Sequence, residues 1–82
     1  MKRASIDIGS NSVLLLAAEI SDGKIVKELL DESSITSLGK DLDKTGVFHP
    51  DSMKATAEAL KNYSILCEKN GINPSDVIVT AT

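Results

Sequence analysis

The pattern of apolar and polar positions changes period twice along the chain. Residues 3–8 alternate, with Ala4, Ile6 and Ile8 on one side and Ser5 and Asp7 on the other, which is the period of a strand. Gly9, Ser10 and Asn11 follow as turn material. Gly and Asn tolerate positive φ, and Ser can bond the local backbone. Residues 12–20 lose the alternation, because Val13 to Ala18 are six apolar residues in a row. Such a run predicts a strand covered on both faces. Ser21, Asp22, Gly23 and Lys24 predict a hairpin turn around an Asp-Gly pair. Residues 25–35 predict a third strand, its period blurred by Leu29 and Leu30 and by the acidic Asp31 and Glu32. The three strands together predict an antiparallel meander.

Residues 37–46 are rich in charge and Gly and predict a loop. Lys40, Asp41, Asp43 and Lys44 read as its solvated surface, with the alternative that Lys40 or Lys44 reaches a polyanionic substrate. Pro50 predicts a helix start, since its missing N–H would be unpaired there in any case. Met53, Ala57, Leu60, Ser64 and Cys67 fall on one helical stripe, with Tyr63 beside it. Asn70 and Gly71 close the helix, Gly71 at the left-handed C′ position. After a connector at Pro74 and Ser75, residues 76–80 form a β-branched strand. A strand that follows a helix favours parallel pairing through a right-handed crossover. The order is therefore βββαβ. A parallel strand needs cover on both faces, and one helix covers one, so the expectation is a bare sheet face and the front of a larger α/β domain.

Composition narrows the classes. Eighty-two residues make at most one small domain, burying roughly 60–65% of the unfolded surface. Phe48 and Tyr63 are the only aromatics, which predicts an aliphatic core. A net charge of −3 argues against a nucleic-acid binder held by phosphate electrostatics, and the scarcity of aromatics weakens a single-strand stacking platform. With Cys67 as the one cysteine, an intrachain disulfide or cysteine-based zinc site is excluded, and a reducing cytoplasm fits. Cys67 itself reads as a small buried hydrophobe. No membrane segment is predicted: residues 13–18 fall far short of the ~20 a spanning helix needs, and Asp7 interrupts any signal-like stretch. The sequon at Asn62, Tyr63 and Ser64 lies in a helical pattern and reads as chance. His49 reads as a loop residue that caps the helix less well than Ser, by about 1 kcal/mol.

Candidate chemistry concentrates in Ile6-Asp7-Ile8-Gly9-Ser10-Asn11-Ser12. An Asp sits near the end of a buried strand, before a tight turn with two hydroxyls, Ser10 and Ser12. Successive turn N–H groups can form a concavity for an anion, and Gly9 lets a ligand approach the backbone. Asp7 repels phosphate directly, so its reading is support for a divalent cation or a water. The residues alone leave a second reading open, a polar hairpin turn after an edge strand.

This motif, followed by Leu14 and Leu15, resembles the N-terminal phosphate motif of the Ppx/GppA family, the exopolyphosphatases and guanosine pentaphosphate phosphohydrolases. Thr36-Ser37-Leu38-Gly39-Lys40-Asp41-Leu42 through Gly46 is similar to that family's loop after the third strand. Pro50-Asp51-Ser52-Met53 is similar to its first helix start, and Val77 to Thr82 to the strand leading into its second conserved segment. The resemblance implies an α/β, ribonuclease-H-like fold of the actin, sugar-kinase and heat-shock-ATPase superfamily, with residues 1–82 forming the N-terminal, truncated part of one actin-like domain. It implies a phosphate loop lined by Gly9, Ser10, Asn11 and Ser12, with Asp7 facing the reaction centre as support for Mg²⁺ or another divalent cation. Thr80 and Thr82 would lie near the cleft, with plain strand ends as the alternative.

The implied substrates are inorganic polyphosphate and guanosine pentaphosphate, in a cytoplasmic enzyme that is a homodimer at full length and binds neither nucleic acid nor membrane. The family's phosphate-contacting Arg, catalytic glutamate and second glycine-rich loop have no match here, so the 82 residues alone are expected to be inactive and poorly folded or self-associated. Ser37 also stands where the family commonly has a basic residue. Two rival readings are a superfamily sugar or acetate kinase, disfavoured by Asn11-Ser12 in place of a Thr-rich turn, and a non-catalytic module that binds phosphate or an alarmone.

Overall fold

A computed structural model of the chain describes residues 1–39, 44 and 46–81. Strands β1 (Lys2–Ile8), β2 (Ser12–Ser21) and β3 (Lys24–Ile35) precede helix α1 (Pro50–Lys69), a single 3-10 turn (Pro74–Asp76) and β4 (Val77–Ala81). They form one mixed sheet in the order β3-β2-β1-β4. β1 and β3 run antiparallel to β2, and β4 runs parallel to β1. This is the βββαβ order that the pattern predicts, in the ribonuclease-H-like arrangement that the resemblance implies.

Local chemistry accounts for the joints. Asp22 and Gly23 both take positive φ, 52° and 74°, as the turn whose twist matches two flanking strands requires. At the end of α1, Gly71 sits at φ 71°. Its N–H donates to Glu68 O, and the Ile72 N–H donates to Cys67 O. That pair of bonds, with Ile72 and Cys67 packed together in the core, is the Schellman arrangement. Lys2 Nζ adds a bond to Asn70 O at 2.9 Å, placing a cation at the negative end of the helix.

The sheet face toward α1 carries Ala4 and Ile6 of β1 and Val13, Leu15 and Ala17 of β2, all buried. Tyr63, Cys67 and Ala59 of α1 and Ile72 close over them. Burial pushes the Cys67 thiol pKa up, consistent with a packing role. The opposite face is open. Leu14, Leu16 and Ile78 are exposed there, at 45%, 47% and 61%, in register with Ser5 and Asp7. The six-residue apolar run in β2 is therefore covered on one face within these residues, and not on both as its sequence predicts. Among the described residues no helix is long and apolar enough to cross a membrane.

Two further expectations are corrected. The buried stripe of α1 is Ser52, Thr56, Ala59, Tyr63 and Cys67, whereas Met53, Ala57 and Ser64 are exposed. The helix is rotated so that Tyr63 points inward, and small residues at 52, 56 and 59 let the first turns lie close to the sheet. The core is thus anchored on an aromatic, with Tyr63 only 3% exposed. In β3, the register with β2 passes from Ala17↔Leu30 to Ala18↔Glu28. Leu29 is the extra residue of a bulge, which lets Leu29 and Leu30 both lean on the core and explains the blurred period. Asp31 and Glu32 lie inside β3 and are exposed.

His49 caps α1 after all. Its Nδ1 accepts from the Asp51 N–H at 3.2 Å, using a ring nitrogen where Ser would use a hydroxyl. Replacing His49 by Ala is expected to lower stability by about 0.5–1 kcal/mol, and by Ser to leave it unchanged or raise it slightly. Urea midpoints of the two variants check this.

Candidate phosphate site

The parallel pairing of β1 with β4 brings the C-terminal ends of both strands to one end of the sheet, the usual place for a ligand in such folds. Asp7 lies opposite Thr80 in the register. The Thr80 hydroxyl donates to Asp7 Oδ1 at 3.0 Å. Asp7 is half-buried, on the sheet face away from α1. The bond fixes one carboxylate oxygen, and the described residues hold no cluster of three or more His, Cys, Asp or Glu that could enclose a metal ion.

At the same end, the turn Gly9, Ser10 and Asn11 joins β1 to β2. Gly9 N–H donates to Ser12 O at 2.9 Å and closes it. Gly9, Ser10 and Asn11 all stay out of the left-handed region, so the conformational freedom expected of Gly and Asn is not used for positive φ. The turn is held from outside instead. Asn11 O accepts from both Thr36 N–H and Ser37 N–H at 3.0 Å, and Ser10 O accepts from Gly39 N–H at 2.8 Å. Ser37 takes φ 52° to make this possible, a conformation that costs a non-Gly residue about 1–2 kcal/mol and persists where surrounding bonds over-determine it. The N–H groups of Ser10 and Asn11 bond no other described residue, and both residues are exposed. The turn therefore presents donors outward with the Ser10 and Asn11 carbonyls already occupied.

Of the residues singled out by sequence, Gly9, Ser10, Asn11 and Ser12 come together as one turn, and Asp7 sits two residues before it. The hydrogen bond of Asp7 runs to Thr80 and not to the turn. Lys40, Asp41, Asp43 and Thr82 lie outside the described residues. Sequence reasoning missed the strap of residues 36–39 across the turn, and it missed the Thr80–Asp7 bond. The second was accessible from the parallel register once β4 was placed; the first had no periodic signal. Thr36 is also buried, and its Oγ1 finds no partner among the described residues. A small hollow of about 200 Å³ lies beside the turn, between Ile8, Ser10, Leu38, Gly39, Phe48 and Ala81. The larger hollow, about 760 Å³, is an apolar groove between α1 and β4, lined by Ile6, Leu60, Cys67, Ile72, Val77 and Val79. It lies on the sheet face opposite the Asp7 side chain.

The fold is of ribonuclease-H-like type, with Asp7 and the turn of residues 9–12 at the carboxyl end of its first strand. A Ppx/GppA family member of Aquifex aeolicus superposes with a TM-score of 0.90 at 40% identity, over 99% of this chain and 26% of that one. Exopolyphosphatase 2 of Mycobacterium tuberculosis is 41% identical over 66 residues, 77% of this chain and 21% of that protein. The bifunctional 3-dehydroquinate synthase/phosphatase of Fusobacterium nucleatum is 36% identical over 84 aligned positions, 98% of this chain and 13% of that protein. No family model matches the chain. On these likenesses, the chain belongs to the Ppx/GppA family. It spans between 13% and 26% of the length of these relatives.

Proposed function

We propose that the protein carrying this chain hydrolyses the terminal phosphoanhydride bond of inorganic polyphosphate, guanosine pentaphosphate, or both, and that residues 9–12 hold phosphate oxygens. The observation that carries this reading is the turn whose Ser10 and Asn11 carbonyls are occupied and whose Ser10 and Asn11 N–H groups are open. Donors fixed before the substrate arrives stabilise developing charge without reorganising. Likeness to an exopolyphosphatase and to a synthase/phosphatase supports the same chemistry.

In the reaction, water attacks the terminal phosphorus, the bond to the bridging oxygen breaks, and orthophosphate leaves with a shortened chain as the other product. Asp7 fits a divalent cation of the Mg²⁺ kind, which takes one or two carboxylates and completes its shell with water and phosphate oxygens. One fixed carboxylate, with Oδ1 on Thr80 and Oδ2 without a partner among the described residues, matches that demand better than a closed cage. Such an ion would offset charge on the phosphates. The general base is assigned to residues outside this chain. The reading carries with it a cytoplasmic location and, for the complete protein, a homodimer, both taken from the family resemblance.

The test is phosphate release. Incubated with Mg²⁺, the protein is expected to release orthophosphate from polyphosphate or guanosine pentaphosphate. It is expected to make no sugar phosphate from ATP and a sugar. Phosphorylated sugar would establish the kinase reading, and tight binding without turnover the binding-module reading.

A further inference from the structure

We infer that residues 36–39 are a positioning strap for the phosphate turn, and that Gly39 is the residue that lets the strap close. The inference rests on the functional reading above and adds how the turn is aimed. A trans peptide is planar, with its C=O and the following N–H pointing to opposite sides. Ser10 O and the Asn11 N–H belong to one peptide, and Asn11 O and the Ser12 N–H to the next. Gly39 N–H holds Ser10 O at 2.8 Å, and Thr36 and Ser37 N–H hold Asn11 O at 3.0 Å. With both carbonyls pulled toward the strap, the Asn11 and Ser12 N–H groups are turned away from it, as an anion cradle needs.

Gly39 makes the closest of these approaches. A Cβ at position 39 would stand 2.8 Å from the Ser10 Cβ and 3.4 Å from Ser10 O. The first distance is shorter than real Cβ contacts allow, so either the strap or the turn has to move. The other end of the strap is held by Ser37, which keeps its left-handed φ of 52°. The strap thus has a tight bond at each end and no slack to absorb a methyl group. Gly39 touches no substrate in this arrangement and acts through Ser10.

The experiment is a two-residue cycle in the protein that carries this chain, with inorganic polyphosphate as substrate. Gly39→Ala is expected to lower kcat/KM by about 10²-fold, the cost of a displacement near 1 Å at a positioned group. It is also expected to speed amide exchange at positions 36, 37 and 39 by about tenfold or more. Ser10→Gly removes the Cβ that the new methyl meets and sets its own baseline of activity. The double variant is expected to be no worse than Ser10→Gly alone, with exchange returned toward the parent rate. A loss of folding that does not run through the Ser10 contact would not be cancelled by removing the Ser10 Cβ, so losses that multiply overturn the inference, as does full activity or unchanged exchange in Gly39→Ala. If the parent protein neither binds nor hydrolyses polyphosphate, the functional reading fails. The exchange rates of the three variants then still decide whether Gly39 sets the turn.

Discussion

Replacing Asp7 by Ala is expected to reduce phosphate release from polyphosphate by at least about 10²-fold, the scale of a positioned charged group in a reaction of this kind, with the melting temperature little changed. Asp7 lies at the carboxyl end of β1, half-buried on the face away from the core, and its Oδ1 accepts from Thr80. It contributes little packing, so loss of the side chain falls on chemistry. Asp7→Asn separates charge from shape. The amide oxygen can still accept from Thr80, but the charge that would hold a cation is gone. Asp7→Asn is therefore expected to fall almost as far as Asp7→Ala, whereas Thr80→Val, which frees the carboxylate without removing it, is expected to cost only about tenfold. Activity retained in Asp7→Asn would remove the cation from the account. Steady-state phosphate release across a Mg²⁺ titration measures all three.

The second large effect is on stability. Tyr63 lies in the centre of the core, and its hydroxyl sits 2.9 Å from Val13 O and 2.9 Å from Ser34 Oγ. It donates to the carbonyl and shares its second bond with the serine, so one side chain ties α1 to both β2 and β3. Tyr63→Phe leaves those two groups without their partner and is expected to cost about 1–3 kcal/mol. Tyr63→Ala also opens a cavity and is expected to cost about 3–5 kcal/mol. Against a total stability of about 5–15 kcal/mol for an ordinary domain, the Ala variant stands near the threshold of unfolding. Urea unfolding followed by far-ultraviolet circular dichroism measures both. A Phe variant as stable as the parent would show that the hydroxyl bonds are not part of what holds the helix.

Much of the fold is legible in the chain because its joints use residues with few alternatives. Asp22-Gly23 and Gly71 are placed by positive φ, and β1 by its alternation; the β-branched run after α1 marks β4. The parts that stay hidden are those where several residues share a job. Leu29 and Leu30 read as a loss of period, because a bulge is one residue of excess in a register that only the partner strand defines. The buried face of α1 differs from the expected one because Met53 outranks Ser52 and Thr56 in hydrophobicity, while closeness to the sheet favours the smaller pair. For the site, the motif from Asp7 to Ser12 is visible as residue types at a spacing. The bonds that orient it are backbone bonds from residues 36–39, which leave no imprint on side-chain character except the bare Gly39.

The parallel pairing of β4 with β1 has a consequence for the order of assembly. The two hairpins β1–β2 and β2–β3 join neighbours in sequence, and their loops close with little entropy lost. The Asp7–Thr80 bond joins residues 73 apart and forms only when α1 has docked and carried β4 back to β1. Contacts of that range come late in folding. The turn and its strap can therefore be built early from the first half of the chain. The carboxylate gains its partner in the last pairing to close, so the carboxylate half of the site is finished only when the described sheet is.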